Sequence, residues 1–496
     1  MSQPPVIVWF RNDLRVGDNR ALAAAVATGA PIVALCILDD ETPGRWRMGG
    51  ASRWWLHMSL AVLAKDIAER GNRLLLLRGQ AEKVLIELTQ ECKATAVFCS
   101  RAYEPHAVAL ESRLKAHFDS AGIAFKRSGG ALLREPEDIR TKSGDVYKVY
   151  TPFWRALRQG LAVPAPKPAP RNISATSRIP KGLALKELDL LPLKSDWAGG
   201  LRDAWTPGEA GAHARLNSFL KNAMADYADL RNRPDVEGTS RLSPHLHFGE
   251  ITPGMCWHRA QRAAAHMHGA DKGYETFLKE LVWREFSYTL LFHWNDLPDK
   301  PFRSEFTHFG WKKNTQHLKS WQNGLTGFPI VDAGMRELWQ TGYMHNRVRM
   351  IVASFLVKDL FIPWQEGEAW FWDTLVDADL ANNAASWQWV AGSGADAAPY
   401  FRIFNPVRQG ETFDPKGVYV RRFCPEIANL PDEYIHAPWT APPPILRSAG
   451  VVPGKTYPSP LVDHGSARAR ALAAYEDLRA AISKRNIGAG GVSQTR

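Results

Sequence analysis

Cysteine is scarce in this chain. There are five in 496 residues, at positions 36, 92, 99, 256 and 424, with no CxxC pair and an odd count. A disulfide framework is thereby excluded, and buried thiols in a reducing compartment are expected. No run of eighteen apolar residues occurs, so no membrane-spanning helix is expected. The opening MSQPPVIVWFRNDLR sets charge directly after a short apolar run, unlike a secretory signal. Together these features predict a cytoplasmic protein. No internal repeat is visible, and no Cys/His cluster has metal-ligand spacing.

What is present is more specific. The length predicts more than one domain with ample core. Hydrophobic residues make up 45% and charged residues 23%, both ordinary for a globular protein. Net charge is +11 with a pI near 9.4, which favours an anionic partner such as nucleic acid; a basic enzyme without such a partner is the alternative. Nineteen tryptophans are more than bulk packing demands.

Along the first third, short apolar runs alternate with helical patterns. Val6–Phe10, Pro31–Leu38, Leu74–Leu77 and Ala96–Cys99 read as buried parallel strands. Asn19–Ala27, Ser52–Arg70, Ala81–Glu91 and Ala107–Phe118 read as the helices between them. That alternation predicts a doubly wound parallel sheet, an α/β domain. The proline-rich stretch Ala162–Arg171 predicts irregular chain within a long linker ending near Thr206. From Gly208 the periodicity is helical, and Gly488–Arg496 reads as a disordered tail.

Two segments carry the chemistry. Tyr227–Glu250 reads YADLRNRPDVEGTSRLSPHLHFGE, in which Ser243-Pro244 reads as a helix N-cap with proline at the first helical position. With Thr239 and Ser240 just upstream, this end offers hydroxyls and amides to a phosphate; a plain capped helix is the alternative. His245 and His247 lack a third partner at recognisable spacing and read as structural. Thr326–Trp389 contains TGFPIVDAGMRELWQTGYMHNRVRMIVASFL and DTLVDADLANNAASWQWV. Carboxylates, amides and tryptophans in one helical region suggest a redox-active aromatic cofactor over a hydrolytic site. Gly392-Ser-Gly394-Ala-Asp-Ala397 fits a loose dinucleotide fingerprint, but no strand precedes it and Pro399 follows, so it is rejected.

From about Val6 to about Ile482, these motifs closely resemble the DNA photolyases and cryptochromes. The resemblance implies an α/β antenna-binding domain (1–132), a linker (133–206), a C-terminal helical FAD-binding catalytic domain (207–487) and a tail (488–496). It implies non-covalent FAD, with Tyr227, Thr239, Ser240 and Ser243 holding the diphosphate. Asp377 or Asp379 would bind ribose hydroxyls or pair with Arg349, and an arginine near the ring would stabilise a reduced, anionic flavin. Asn383 would face flavin N5. A neutral amide there is no ready proton donor. Plant cryptochromes usually carry Asp at that position, so Asn383 favours repair over signalling.

The resemblance further implies an electron relay of Trp311, Trp364 and Trp387. It implies a pocket for a flipped-out cyclobutane pyrimidine dimer. Glu280 and Asn346 would bond the pyrimidine edges, Trp283 and Trp389 would pack on the bases, and Met350 would touch the cyclobutane. Arg231, Arg284, Arg347 and Arg402 match positions near the DNA backbone. Segments such as SRWWLHMSLAVL and HNRVRMIVASFLVKDL look most like class III photolyases, whose antenna is methenyltetrahydrofolate. Trp54 and Trp55 would form its stacking wall and Glu41 its anchor; core packing of a helix is the alternative for the tryptophan pair, and a different folate position or a different antenna for the site. One departure stands against this: Ala107 occupies the position where better-known folate-binding relatives have an acid. The expected activity is light-driven dimer repair by a monomer, with a cryptochrome-like photoreceptor as the rival. A flavin oxidoreductase using a nicotinamide lacks a credible nicotinamide site.

Overall fold

The computed structural model describes residues 3–177, 180–192, 194–396 and 401–490. The chain divides into two compact units. The first takes residues up to Leu230 together with Gly238–Asn295 and Trp372–Ala381. The second takes Arg231–Glu237, Asp296–Phe371 and the chain from Asn382 onward. These units do not coincide with the segments expected from the sequence: 207–230, 238–295 and 372–381, all expected in the C-terminal domain, belong to the first unit.

The first unit holds a five-stranded parallel sheet: β1 (Val6–Phe10), β2 (Ile32–Leu38), β3 (Leu74–Arg78), β4 (Ala96–Ser100) and β5 (Ala124–Ser128), in the order 3-2-1-4-5. Every residue of β1 and β4 is buried, as strands covered on both faces require. Val6 pairs with both Ile32 and Ala96, so β1 lies at the centre. The strand order reverses there, which in such sheets opens a ligand crevice beyond the strand ends. Here that region is occupied by ions of the chain itself. The buried Glu111 accepts from Arg11 Nη2 at 2.6 Å, from Arg127 Nη1 at 3.0 Å and from Ala102 N at 3.0 Å.

The expected helices are present as Arg20–Val26, Gly50–Ala68, Ala81–Cys92 and Pro105–Ser120. The first is capped by Asn19, whose side chain accepts from Leu22 N at 2.9 Å. The edge strand β5 was not expected. Its sequence AFKRS buries only Phe125, so neither an apolar run nor a long alternation marks it. The proline-rich residues 162–170 carry no regular structure, as expected. All five cysteines are buried and none forms a disulfide.

A buried polar knot ties the helix Gly50–Ala68 to the segment around His245. Glu250 is fully buried and accepts from Trp55 Nε1 at 3.0 Å, from the Ser59 hydroxyl, and from His245 Nδ1. The histidine thus serves the core.

The second unit is helical. It includes Pro329–Thr341, Asn346–Ser354 with a π-helical extension Phe355–Asp359, Pro406–Phe413, Val418–Phe423 and His464–Gly490. The last of these runs three residues into the segment expected as a disordered tail, and 491–496 lie outside the described residues. Its polar core centres on Asp332, which accepts from Thr326 N and Oγ1, Gly327 N and Tyr457 Oη at 2.6–3.0 Å. Gly327 has a φ of +79°, and a Cβ there would lie 2.5 Å from the Ser459 carbonyl carbon. Among the described residues no helix is long and apolar enough to cross a membrane.

Removing the Glu250 acceptor strands three buried donors. Glu250→Ala should therefore destabilise the protein by about 3–5 kcal/mol. Urea unfolding followed by circular dichroism checks this; a midpoint equal to the parent's would show that the knot contributes nothing.

Candidate functional site

The two units contribute different chemistry. In the first, Tyr227 is buried against Phe219 and Phe277. Thr239 and Ser240 are half-buried and Ser243 is exposed. The expected N-cap is displaced by one residue. Leu242 is the capping residue, without a side-chain bond, and Ser243 is the first residue of a five-residue helix. The cause lies just upstream. Arg241 turns left-handed at φ +51°, and Ser240 Oγ accepts from Leu242 N at 3.4 Å, a local turn that uses the hydroxyl.

The long helix Asp271–His293 carries Glu280, Trp283, Arg284 and Tyr288. Tyr150 stacks on Trp283 with centroids 3.6 Å apart and planes within 5°, and Phe286 meets its edge, so the indole is fixed. Asp379 is buried, yet its carboxyl is held well below the usual range. Burial opposes ionisation, but bonds from His247 and Tyr288 and the charge of Arg284 outweigh it. The Tyr288 hydroxyl lies 2.5 Å from Asp379 Oδ2 and His247 Nδ1 lies 3.4 Å away. Asp377 is buried two residues earlier.

Arg284 departs from its expected place at a DNA surface. Its side chain is only 11% exposed, its guanidinium lies 4.6 Å over the Tyr288 ring, and Nη1 donates to Ala131 O at 2.8 Å. With Asp379 and Glu285 as ionic neighbours, its charge serves the interior. The antenna residues also need correction. Trp54 and Trp55 are 1% and 0% exposed, and Trp55 packs on Trp205, Phe248 and His245. Protein already covers both rings, so they form no open stacking wall. Glu41 lies at the surface, where Gln80 Nε2 donates to it at 2.7 Å.

In the second unit, the helix Asn346–Ser354 carries Asn346, Arg347, Arg349 and Met350. Asn346 is exposed and Met350 half-buried one turn later. Arg347 donates to Asn232 Oδ1 at 2.7 Å and lies over Phe413. Burial and the like charges of Arg231 and Arg402 lower its pKa, so these three arginines form a cationic cluster. Arg349 Nε donates to Met344 O at 2.7 Å. Asn383 is buried, and its Nδ2 donates to Glu368 O at 3.0 Å. That bond fixes the amide nitrogen and leaves Oδ1 as the acceptor the side chain presents elsewhere.

Trp364 and Trp387 are buried and Trp311 is half-exposed, the gradient an outward relay needs. Trp387 lies directly on the helix Trp364–Thr374, where a Cβ on Gly367 would come within 2.1 Å of its ring. Phe371 packs on its edge at 5.0 Å. Trp389 and Arg402 line one cavity with Arg303, Ser354 and Lys358. The rejected fingerprint is a helix end, in which Gly392 N and Gly394 N both donate to Gln388 O; its Ala397 lies outside the described residues.

Sequence reasoning missed His345 and Lys358. His345 sits at the N-cap of the Asn346–Ser354 helix, where its Nδ1 accepts from Arg347 N at 3.2 Å. Its signal was the position, one residue before a helix rich in arginine. The signal for Lys358 was a charged pair inside the apolar run FLVKDLFI.

Comparison with known proteins now gives the class. Residues 6–171 match the DNA photolyase family model, and residues 277–477 match the FAD binding domain of DNA photolyase. The chain is 50% identical over 479 residues to the deoxyribodipyrimidine photo-lyase of Agrobacterium fabrum, covering 97% of this chain and 99% of that one. Cryptochrome-1 of Arabidopsis thaliana is 38% identical, with 94% and 69% covered. The crystal structure of a bacterial class III photolyase from Agrobacterium tumefaciens superposes with a TM-score of 0.93 at 50% identity, covering 97% of this chain and 98% of that one. The chain therefore belongs to the DNA photolyase and cryptochrome family.

His345 supplies a pH test. Burial, aided by Arg349, Arg347 and Arg231, pushes it down to about 4 from the usual 6.5. A histidine held neutral stabilises fully above its unfolded value and loses that contribution as pH falls toward the folded one. Relative to His345→Asn, which also caps but does not titrate, the parent should lose on the order of 3 kcal/mol between about pH 6.5 and 4. Denaturant titrations at a series of pH values check this. A parent–variant difference that stays constant over that range would contradict a buried neutral imidazole.

Proposed function

We propose that the chain is a light-driven deoxyribodipyrimidine photo-lyase that repairs cyclobutane pyrimidine dimers in DNA. The observation that carries this reading is the helix Asn346–Ser354. One short element presents an amide and a thioether at i, i+4 and places Arg347 in a cluster with Arg231 and Arg402. The cations suit backbone phosphates, and the amide and thioether suit a flipped-out pyrimidine dimer with apolar faces and polar edges. Glu280 would bond a pyrimidine edge, and Trp283 and Trp389 would pack on the bases. Trp283 is held for that task by Tyr150.

When bound, without a covalent link, FAD would supply the photoexcited electron for opening the cyclobutane ring and would recover it, a cycle with no net oxidation. The residues fit such a group. Tyr227, Thr239, Ser240 and Ser243 would hold its diphosphate, and Asp377, Asp379 and Arg349 its ribose and flavin. An ionised Asp379 accepts hydrogen bonds only, which suits a sugar hydroxyl or a guanidinium. Asn383, its nitrogen bound to Glu368 O, would offer Oδ1 to the N–H of a reduced N5. Trp387, Trp364 and Trp311 would pass electrons inward from solvent to restore the working state. Side chains of this chain thus bind, orient and keep protons in place; none acts as a nucleophile.

We also propose a methenyltetrahydrofolate antenna, on the resemblance to class III photolyases, in a site other than the covered Trp54 and Trp55. We further infer a cytoplasmic monomer in which 1–132 serves light harvesting and 207–487 serves catalysis. The rival reading, a cryptochrome-like photoreceptor, draws support from the Arabidopsis relative. Asn383 favours repair.

The test is direct. Purified, reduced protein mixed with dimer-containing oligonucleotide should remove cyclobutane dimers under blue or near-UV light and not in the dark. It should leave (6-4) products intact. Absence of light-dependent dimer loss, or repair of the (6-4) lesion only, would overturn the assignment.

A further inference from the structure

Lys358 stands out as a charge the proposed mechanism does not use. It is 1% exposed, in the π-helical turn Phe355–Asp359 that extends the helix Asn346–Ser354. π-turns inside α-helices are rare and often mark functional places. Here the turn separates two neighbouring charges. Asp359 bonds His464 Nδ1 at 2.6 Å on the C-terminal helix, and its carbonyl accepts from Arg470. Lys358 instead donates from Nζ to Arg402 O at 3.1 Å, and its ammonium lies 3.6 Å from the centre of the Phe401 ring.

A second anchor lies one turn earlier. Ser354 Oγ accepts from Phe404 N at 3.2 Å. Ser354 and Lys358 are spaced i, i+4, and both line the cavity shared with Trp389 and Arg402. Phe401 stacks on Tyr475, with centroids 4.7 Å apart and planes within 8°, which holds the start of this short stretch. Residues 401–404 have no regular secondary structure, so nothing in their own backbone pattern sets where Arg402 points.

The arrangement is costly. Burial pushes the Lys358 amine down to about 7, against the opposing pull of Asp359. An apolar residue of similar length would fill the space without desolvating a charge. Packing alone therefore gives no reason for lysine here, whereas fixing the Arg402 carbonyl does.

We propose that Lys358, with Ser354, is a positioning residue: it clamps the segment Phe401–Phe404 so that Arg402 meets a DNA phosphate beside the wall formed by Trp389. This rests on the reading of Arg402 as a phosphate contact. Lys358 itself touches neither substrate nor cofactor. Its contribution is to make the Arg402 contact available without ordering a loop at the moment of binding.

The test is dark binding of a duplex carrying one thymine dimer, measured over a range of salt concentrations. Parent, Lys358→Met, Ser354→Ala, Arg402→Ala and the double variant Lys358→Met/Arg402→Ala are compared. Lys358→Met should weaken binding about five- to tenfold and flatten the log–log salt slope by roughly one, as Arg402→Ala does. The double variant should be no weaker than Arg402→Ala alone, because both changes remove the same contact. Ser354→Ala should act in the same direction and less strongly, which keeps the proposal testable if Lys358→Met does not fold. The repair kinetics of Lys358→Met should show the loss in KM. If Arg402→Ala flattens the slope while folded Lys358→Met and Ser354→Ala keep the parent's slope and affinity, the clamp is refuted and the phosphate reading stands. If Arg402→Ala itself leaves the slope unchanged, the phosphate reading fails and the clamp with it.

Discussion

Ionised groups taken out of water must be met by partners, and this requirement shapes both units. Asp379 stays ionised in the interior because Tyr288 and His247 bond it and Arg284 neighbours it. The 23-residue helix Asp271–His293 makes this possible, since Arg284 and Tyr288 lie one turn apart on it. Placing Glu280 one turn before Arg284 then follows from the same helix. The buried carboxyl groups of Glu250 and Glu111 are each surrounded by three donors. Charges of this kind hold residues in place.

The second unit treats cations in the opposite way. Arg231, Arg347 and Arg402 lie near enough for like charge to make Arg347 less willing to hold its proton. His345 beside them is kept neutral, which removes a fourth cation from the cluster. Clustered positive charge is unfavourable to the folded chain alone and favourable once an anion arrives. The net charge of +11 is therefore less informative than its placement.

Much of the fold was legible in the sequence for identifiable reasons. The apolar runs VIVWF and AVFCS read as strands because a parallel sheet buries both faces. Strand β5 was illegible because an edge strand with one buried residue has no such signature. The unit boundaries were hidden because 238–295 and 372–381, the latter carrying Asp377 and Asp379, belong to a unit whose sheet lies far away in sequence. At the site, the motif residues were readable one by one, but their partners were not. Nothing local announces that Tyr288 bonds Asp379, that Arg284 turns inward, or that Trp54 and Trp55 are covered on all sides. The Ser243 cap was misplaced by one residue because Arg241 adopts a left-handed turn that no glycine or asparagine signals.

The second unit's arginine cluster is proposed to meet phosphates. The most direct measurement is the salt dependence of equilibrium binding to dimer-containing DNA for the parent and for the triple variant Arg231→Ala/Arg347→Ala/Arg402→Ala. Three neutralised phosphates predict a log–log slope flatter by roughly 2.7 in the variant. A variant that folds as the parent does and binds with the parent's slope would contradict the account.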